Sequence, residues 1–343
     1  MSKIKVFVVR DFDQMSFKAA EIVRKDIAEK TAANGRYTLG LATGSSPTGL
    51  YKHLAKAFNS GELDASKVRS FNLDEYVGLP GENAQMRALH PESYSYFMIQ
   101  ELFALLSKKF VETNVPWGCL IDQARLAKAL ADSPADFEMQ GADKGKAVVI
   151  RPDAQNEYLR WIRAEILDAY AAKIRSFGGI DLHVIGVGGR GHVAFHESGI
   201  PFEGNEMLLV RLDSNTVENA VKDGHFATAE DSPNFAISMG AALVYQARTV
   251  LLLASGARKS GPVAASLADA PSPAVPISYG QKFAANGGNM IYVVDAAAAK
   301  DLLARKAEIE ARGTEIVDLT AAPACPPVSS LAFARDPASG FLC

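Results

Sequence analysis

Residues 39–51 read Leu39-Gly-Leu-Ala-Thr-Gly-Ser-Ser-Pro-Thr-Gly-Leu-Tyr51. The apolar run up to Ala42 predicts a β-strand, and a helix is expected from about Pro47, because proline is favoured at the first helical position. Between them, residues 43–46 form a tight turn. A strand that passes through a glycine turn into a helix is the first half of a βαβ unit, which places the chain in the α/β class.

The same order of elements recurs along the rest of the chain. Short apolar runs alternate with longer amphipathic stretches, so we expect a doubly wound, mainly parallel sheet flanked by helices, a Rossmann-like fold. Strands are expected at Ile4–Val9, Tyr37–Ala42, Val68–Leu73, Ile180–Val187, Met207–Leu212, Val250–Leu253 and Asn289–Val294. Helices are expected at Met15–Ala32, Pro47–Phe58, Glu92–Leu106, Gln123–Ala131, Glu157–Ser176 and Ala296–Ala311. Ligands of such sheets bind beyond the carboxyl ends of the strands, so the strand-to-helix turns are the places to look for chemistry.

Composition narrows the class of protein. The chain has 343 residues, is 48% hydrophobic and carries a formal net charge of −3, which gives no polybasic surface for a nucleic acid or a membrane. Its cysteines, Cys119, Cys325 and Cys343, are odd in number and far apart, so neither a disulfide framework nor a metal site is expected. We see no signal peptide and no membrane span, and we expect a cytoplasmic protein.

The chain is expected to form one α/β domain over residues 1–310. Residues 117–150 mix Gly, Asp and Lys and are expected to be an insertion into it. Residues 311–343 are expected to be a C-terminal extension, whose proline-containing part from residue 320 lies on the surface.

Two of the turns predict an anion site. Gly44 permits close approach of a ligand, and the free N–H groups at the following helix start, with hydroxyls beside them, attract a negative charge. A helix cap by Ser45 or Ser46 without any ligand explains the same residues. Residues 250–260 run from a strand through Gly256 to Lys259 at a helix start. A cation is unfavourable there because of the helix dipole, so Lys259 indicates a bound anion. A solvated surface lysine is the alternative.

The other two turns carry groups that can transfer protons. Asp74 and Glu75 end an apolar strand, and because neighbours in an extended segment point in opposite directions, at most one faces a given cleft. A shielded carboxylate there can carry a proton, and a turn cap is the alternative. The glycines of Gly186-Val-Gly-Gly-Arg-Gly-His192 formally match a dinucleotide-binding pattern. That pattern needs a long helix after the glycines, and residues Ser198 to Pro201 would interrupt such a helix. The glycines are instead expected to expose His192 and Glu197.

Together, these turns resemble those of the glucosamine-6-phosphate deaminase/isomerase family, which is related in fold to the 6-phosphogluconolactonases. The resemblance covers about residues 1–310 without the 117–150 segment. Its motifs are Leu41-Ala-Thr-Gly44, Asn72-Leu-Asp-Glu-Tyr-Val-Gly-Leu79, His90-Pro-Glu-Ser-Tyr94, Gly186-Val-Gly188, Gly191-His-Val-Ala-Phe195 with Glu197, and Ser255-Gly256 with Lys259.

The resemblance implies a role for each motif. Asp74 would be the base that moves a proton between C2 and C1, His192 would open the pyranose ring, and Glu197 would support it. The substrate phosphate would lie against Thr43, Gly44, Ser45, Ser46 and Lys259. The family converts glucosamine 6-phosphate and water to fructose 6-phosphate and ammonia without a metal or an organic cofactor, so a phosphorylated sugar is the expected substrate. Family members commonly form oligomers, so a homo-oligomer is expected as well.

Some residues depart from the family pattern. Arg190 stands where many relatives have Asp or Asn, and it is expected either to disfavour the charged imidazole of His192 or to bind an anionic substrate group. His196 and Ser198 replace a usual Asn and Pro, and Lys222 stands in for a missing phosphate-binding arginine. A lactonase and a non-catalytic sugar-phosphate sensor therefore remain as alternatives.

Overall fold

The computed structural model describes residues 4–142, 145–212, 217–218, 221, 226–228 and 232–333. The expected phosphate ligand Lys222 and the cysteine Cys343 lie outside the described residues. The two described cysteines, Cys119 and Cys325, are free thiols. Among the described helices, none combines the length and the apolar character needed to cross a bilayer.

The described strands are β1 Ile4–Val9, β2 Tyr37–Leu41, β3 Val68–Asn72, β4 Asp74–Val77, β5 Glu112–Asn114, β6 Phe137–Gln140, β7 Lys146–Ile150, β8 Leu182–Ile185, β9 Met207–Arg211, β10 Phe235–Met239, β11 Thr249–Ala254, β12 Asn289–Asp295 and β13 Glu315–Asp318. The described helices are α1 Phe12–Asn34, α2 Thr48–Asn59, α3 Ala84–Ala88, α4 Tyr94–Glu101, α5 Gln123–Asp132, α6 Glu157–Trp161, α7 Ala169–Ser176, α8 Ala241–Val244, α9 Ser260–Ala268, α10 Tyr279–Ala285, α11 Lys300–Ala304 and α12 Lys306–Ala311. A π-helical segment, Ile162–Asp168, joins α6 to α7.

Eight of these strands form one sheet in the order β13-β1-β12-β11-β8-β2-β3-β5, and every pair in it is parallel. Helices cover both faces. Met15 of α1 and Leu50 of α2 pack with Leu39 in one core, and Ile166 and Val263 pack with Phe71 in a second core on the other face. The predicted doubly wound, mainly parallel sheet flanked by helices is confirmed.

A second sheet is a finding that sequence patterns did not predict. The strands β4, β10, β9, β7 and β6 pair antiparallel in that order. Among its strands only β9 was expected, within Met207–Leu212. Residues 74–77 were expected to be a turn and form β4, and β6 is exposed or half-buried along its length and lacks an apolar run. Residues 117–150 supply its hairpin β6–β7.

Several predicted bounds change where the backbone leaves the helical region. The helix expected at Glu92–Leu106 is α4 alone, because Leu102 has φ −140° and a short 3-10 turn follows. The helix expected at Ala296–Ala311 begins at Lys300 and breaks at Arg305, where φ is −109°. Residues 315–318 add β13 to the first sheet beside β1. The division of the chain at residue 310 stays a prediction.

Gly40 in β2 is expected to be intolerant of any side chain. It is the Cα partner of His183 in β8, and a Cβ at this position would lie 2.1 Å from Cδ2 of that imidazole. Because both residues are buried, we expect Gly40→Ala to lower the free energy of unfolding by about 1–3 kcal/mol in urea denaturation.

The control is Gly261→Ala in α9, where an added Cβ meets nothing within 4 Å. Alanine should raise the stability there by about 0.5–1 kcal/mol because it is the better helix former. Equal urea midpoints for Gly40→Ala and the wild type would contradict the packing argument.

Candidate active site at the carboxyl edge of the parallel sheet

The four expected turns meet in one cavity. They follow β11, β8, β2 and β3, which are consecutive neighbours in the sheet, so their carboxyl ends open on the same edge. The cavity has a volume of about 340 Å³. Its lining residues are Ala42, Thr43, Gly44, Ser45, Ser46, Leu73, Asp74, Tyr76, Pro91, Glu92, Ser93, Tyr94, Phe97, Gly186, Val187, Gly188, His192, Ala194, Phe195 and Lys259.

The turn after β2 presents unsatisfied donors to this cavity. Gly44 has φ 98°, a left-handed conformation that favours glycine, and a Cβ there would meet open space. Helix α2 has Pro47 at its N-cap and no side-chain cap. The ligand-free alternative requires a cap by Ser45 or Ser46, and neither residue supplies one. The start of α2 therefore keeps free N–H groups beside the hydroxyls that line the cavity.

Asp74 lies where the chain crosses from the first sheet to the second. It follows Leu73, whose N–H donates to Leu41 of β2, and it pairs with Ser238 of β10 in the antiparallel sheet. Only 5% of Asp74 is exposed, and its Oδ1 atom has no hydrogen-bond partner among the described residues. Burial, reinforced by the nearby Glu75, raises the pKa of Asp74 to about 8, and a hydrogen bond from Thr43 opposes the rise. Such a carboxylate is a stronger base than an exposed one.

Glu75 has a different environment although it is adjacent in sequence. Its carboxylate accepts bonds from the backbone N–H groups of Tyr76, Tyr94 and Ser95, each at 2.9 Å, and from the Ser95 hydroxyl at 2.8 Å. Burial raises the pKa of Glu75, and these donors lower it. Glu75 does not line the cavity. The prediction that only one of the two acids faces the cleft is confirmed, and Glu75 anchors the start of α4.

His192 and Glu197 form a hydrogen-bonded pair. The distance from His192 Nδ1 to Glu197 Oε2 is 3.0 Å, and the glutamate is buried while the imidazole is partly exposed at the cavity wall. Since a carboxylate oxygen accepts, we assign the proton to Nδ1, which leaves Nε2 as an acceptor. A Cβ at Gly188 would lie 1.8 Å from Nε2, so glycine is needed here to make room for the ring. No helix lies between these glycines and β9, although a dinucleotide-binding fingerprint would need one there.

His196 is a structural residue. Its Nε2 contacts the carbonyl oxygen of Ile200 at 3.1 Å, and its Nδ1 accepts from the N–H of Ala241 at 3.0 Å. Burial lowers the pKa of His196 to about 4, which keeps the ring neutral. Arg190 lies in the same connection and does not line the cavity.

Lys259 occupies the expected place at the start of α9, as the residue immediately before Ser260. It lines the cavity together with the Gly44 turn. Burial lowers the pKa of its ammonium group, and the neighbouring Arg258 lowers it further. A half-buried ammonium with this environment is suited to a bound anion.

Two contributions to the cavity were missed from the sequence. Tyr76, Tyr94 and Phe195 form an aromatic wall, in which the last two rings stack at an interplanar angle of 2°. Tyr94 belongs to the His90–Tyr94 motif, which was noted as a resemblance without a role. Gly145, just before β7, lies behind the cavity wall, since a Cβ there would lie 2.7 Å from Cγ of Glu197, the partner of His192.

Solved structures place this architecture in a known class. A monomeric glucosamine-6-phosphate deaminase superposes with a TM-score of 0.65 at 24% identity, over 87% of this chain and 99% of its own. A 6-phosphogluconolactonase from Trypanosoma cruzi superposes with a TM-score of 0.56 at 20% identity, over 88% of this chain and 98% of its own. The fold is therefore the Rossmann-like fold of the sugar-phosphate isomerase type.

Sequence relatives narrow the class to a family. Glucosamine-6-phosphate deaminase of Thermoanaerobacter sp. (strain X514) is 35% identical over 257 residues, which are 75% of this chain and 80% of that protein. The enzyme of the same name from Clostridium acetobutylicum is 32% identical over 299 residues, 87% of this chain and the whole of that protein. The chain matches no protein-family model. It belongs to the glucosamine-6-phosphate deaminase family.

Asp74 is expected to reduce stability at neutral and alkaline pH. Its folded-state pKa of about 8 lies above the ordinary value near 4, so between these pH values the unfolded chain ionises the group and the folded protein does not. We expect Asp74→Asn to be more stable than the wild type by on the order of a few kcal/mol at pH 8.5 and about equally stable at pH 4.

Thermal melting of both proteins at the two pH values tests this expectation. Asp136→Asn is the control, because this buried carboxylate accepts from the N–H groups of Gln155 at 3.0 Å and Asn156 at 2.7 Å, so an amide gains no hydrogen bond there and should not stabilise the protein at pH 8.5. An Asp74→Asn variant that melts below the wild type at pH 8.5 would refute the assigned burial cost.

Proposed function

We propose that this protein converts glucosamine 6-phosphate and water to fructose 6-phosphate and ammonia. The observation that carries the proposal is the placement of one buried, basic carboxylate, Asp74, in the same cavity as His192, the open start of α2 and Lys259, with Glu197 bonded to His192 from behind. Membership of the glucosamine-6-phosphate deaminase family supports the choice of substrate.

In the proposed reaction, the phosphate binds at the amino end of α2. The N–H groups of Thr43, Gly44 and Ser45, the Ser46 hydroxyl and the Lys259 ammonium would surround its oxygens, since the Thr43 hydroxyl donates its one proton to Asp74. Binding the phosphate away from the reacting carbons orients the sugar chain, so that the barrier for proton transfer is lowered by positioning.

The pair His192–Glu197 would open the pyranose ring. Nε2 accepts the proton of the C1 hydroxyl and returns it to the ring oxygen, which gives the open-chain aldehyde. The bond from Nδ1 to Glu197 fixes the orientation of the ring and stabilises the imidazolium that forms in transit.

Asp74 would then move the proton. It removes the proton from C2, next to the C1 carbonyl, while the C1 oxygen takes up a proton, which gives an enol with the amino group on C2. Asp74 then delivers its proton to C1, and the amino group gives up one N–H proton to solvent, which leaves a C1 hydroxyl and an imine at C2. Water adds to that imine, ammonia leaves, and the ketone of fructose 6-phosphate remains. The raised pKa of Asp74 makes it a better match for this weakly acidic C–H bond.

The lactonase alternative is matched in fold alone, by neighbours such as the Trypanosoma cruzi enzyme. No contact in the described residues favours it or the sensor alternative over the deaminase. A cytoplasmic location and a homo-oligomer belong to the same proposal, and gel filtration tests the latter.

Ammonia release is the direct test. We expect equal amounts of ammonia and fructose 6-phosphate from glucosamine 6-phosphate, and a fall in kcat of about 10²–10⁴-fold in Asp74→Asn. Galactosamine 6-phosphate and 6-phosphogluconolactone should be tested in parallel. Absence of ammonia from both amino sugars, with acid release from the lactone, would replace the deaminase by the lactonase.

The pH dependence tests the role of Asp74 separately. Asp74 acts as a base only in its carboxylate form, so kcat/KM should rise with pH, and the midpoint of that rise should lie near the Asp74 pKa of about 8. Thr43→Val removes the hydrogen bond that lowers this pKa, so the midpoint should move to higher pH when kcat/KM is measured from pH 6 to 9. Ser46→Ala, in the same turn, should raise KM and leave the midpoint in place. A Thr43→Val midpoint at or below that of the wild type would exclude Asp74 as the titrating base.

A further inference from the structure

Asp295, at the carboxyl end of β12, is a buried carboxylate outside the cavity lining. It is 6% exposed and accepts four hydrogen bonds. The Ser255 hydroxyl donates to Oδ2 at 2.6 Å, the Gly256 N–H donates to Oδ2 at 3.0 Å and to Oδ1 at 3.1 Å, and the Ala298 N–H donates to Oδ1 at 2.8 Å. Two neighbouring strand ends, of β11 and β12, are therefore joined through this one side chain.

The segment held by Asp295 leads directly to Lys259. Gly256 has φ 92° and accepts a bond from the Lys259 N–H at 3.1 Å, which closes the short turn before α9. The next residue, Ser260, accepts from the Asp301 N–H at 2.8 Å through its hydroxyl. Residues 255–260 are thus attached at both ends to the connection that follows β12.

Lys259 depends on this attachment for its position. Its side chain is a flexible four-carbon stem, and it stands at a helix start where the dipole opposes its charge. No ion pair involving Lys259 is found among the described residues. The backbone turn fixes the point at the cavity wall from which the Lys259 side chain starts.

We propose that Asp295 is a positioning residue for substrate phosphate, acting through the Ser255–Gly256 turn on Lys259. This inference rests on the proposed function for the identity of the anion. It assigns to a residue on β12, whose strand contributes no group to the cavity lining, a part in the affinity for the phosphorylated end of the substrate.

Asp295→Asn tests the proposal with almost no change in volume. In either orientation of the amide, its NH₂ group would face the Gly256 N–H, so a donor meets a donor and the turn loses part of its anchor. We expect KM for glucosamine 6-phosphate and the inhibition constant of inorganic phosphate to rise by about tenfold, with kcat within about twofold of the wild type. Ser255→Ala removes one of the four bonds and should give a smaller shift in the same direction, which keeps the test available if Asp295→Asn folds poorly.

A double-mutant cycle separates positioning from general support. Lys259→Met should raise KM on its own, and adding Asp295→Asn to it should change KM by less than about twofold, because the group that Asp295 positions is already gone. The control is Asp181→Asn at the opposite edge of the sheet, where a similar buried carboxylate accepts from the Thr38 N–H at 2.8 Å and from Arg248 at 3.0 Å. It should lower the melting temperature without moving KM.

The two proposals fail in different ways. If the wild type releases no ammonia, the proposed function fails, and calorimetry with inorganic phosphate on the same variants still tests the positioning role. If the wild type is active, an unchanged KM in Asp295→Asn overturns the inference, as does a double variant whose KM is the product of the two single effects.

Discussion

Parallel strand pairing is the constraint on which the rest of this structure depends. The strands β11, β8, β2 and β3 hydrogen-bond side by side, so their carboxyl ends cannot be separated without breaking the sheet. Groups more than 200 residues apart in sequence, such as Gly44 and Lys259, are brought into one cavity by this pairing. The helices cover the two faces of the sheet, and the turns carry side chains that line the cavity.

The crossing of the chain between the two sheets at Leu73 is the second constraint. Because the strand continues into another sheet, residues 74–77 keep the alternation of an extended segment and send adjacent acids to different surroundings. Asp74 is buried at the cavity wall, which raises its pKa, whereas Glu75 meets the amide groups at the start of α4. The same residue pair thereby supplies one candidate base and one structural anchor.

The sequence predicted those strands and helices that have a clear apolar pattern along their length. The strand β1 and the composite helix over residues 157–176 agree with their predicted bounds. The turns after β2, β8 and β11 follow their expected strands, whereas the acids after β3 begin the strand β4. Of the second sheet, the sequence predicted the strand β9 but not its antiparallel partners, and β6 carries little apolar pattern. The contacts of Asp295 and Gly145 could not be predicted, since both are made to residues distant in sequence that only the folded chain brings near.

The hairpin β6–β7 has a consequence for how this enzyme can be modified. Its turn abuts the methylene groups of Glu197 at Gly145, and Gly199 leaves similarly little room for a side chain beside Ala142. Gly145 therefore lies behind the His192–Glu197 pair, although β6 of the same hairpin is exposed or half-buried. A fluorescent label or an affinity tag attached at position 145 would be wedged against a buried carboxylate, whereas Lys108, exposed in the loop before β5, offers a point of attachment on free surface.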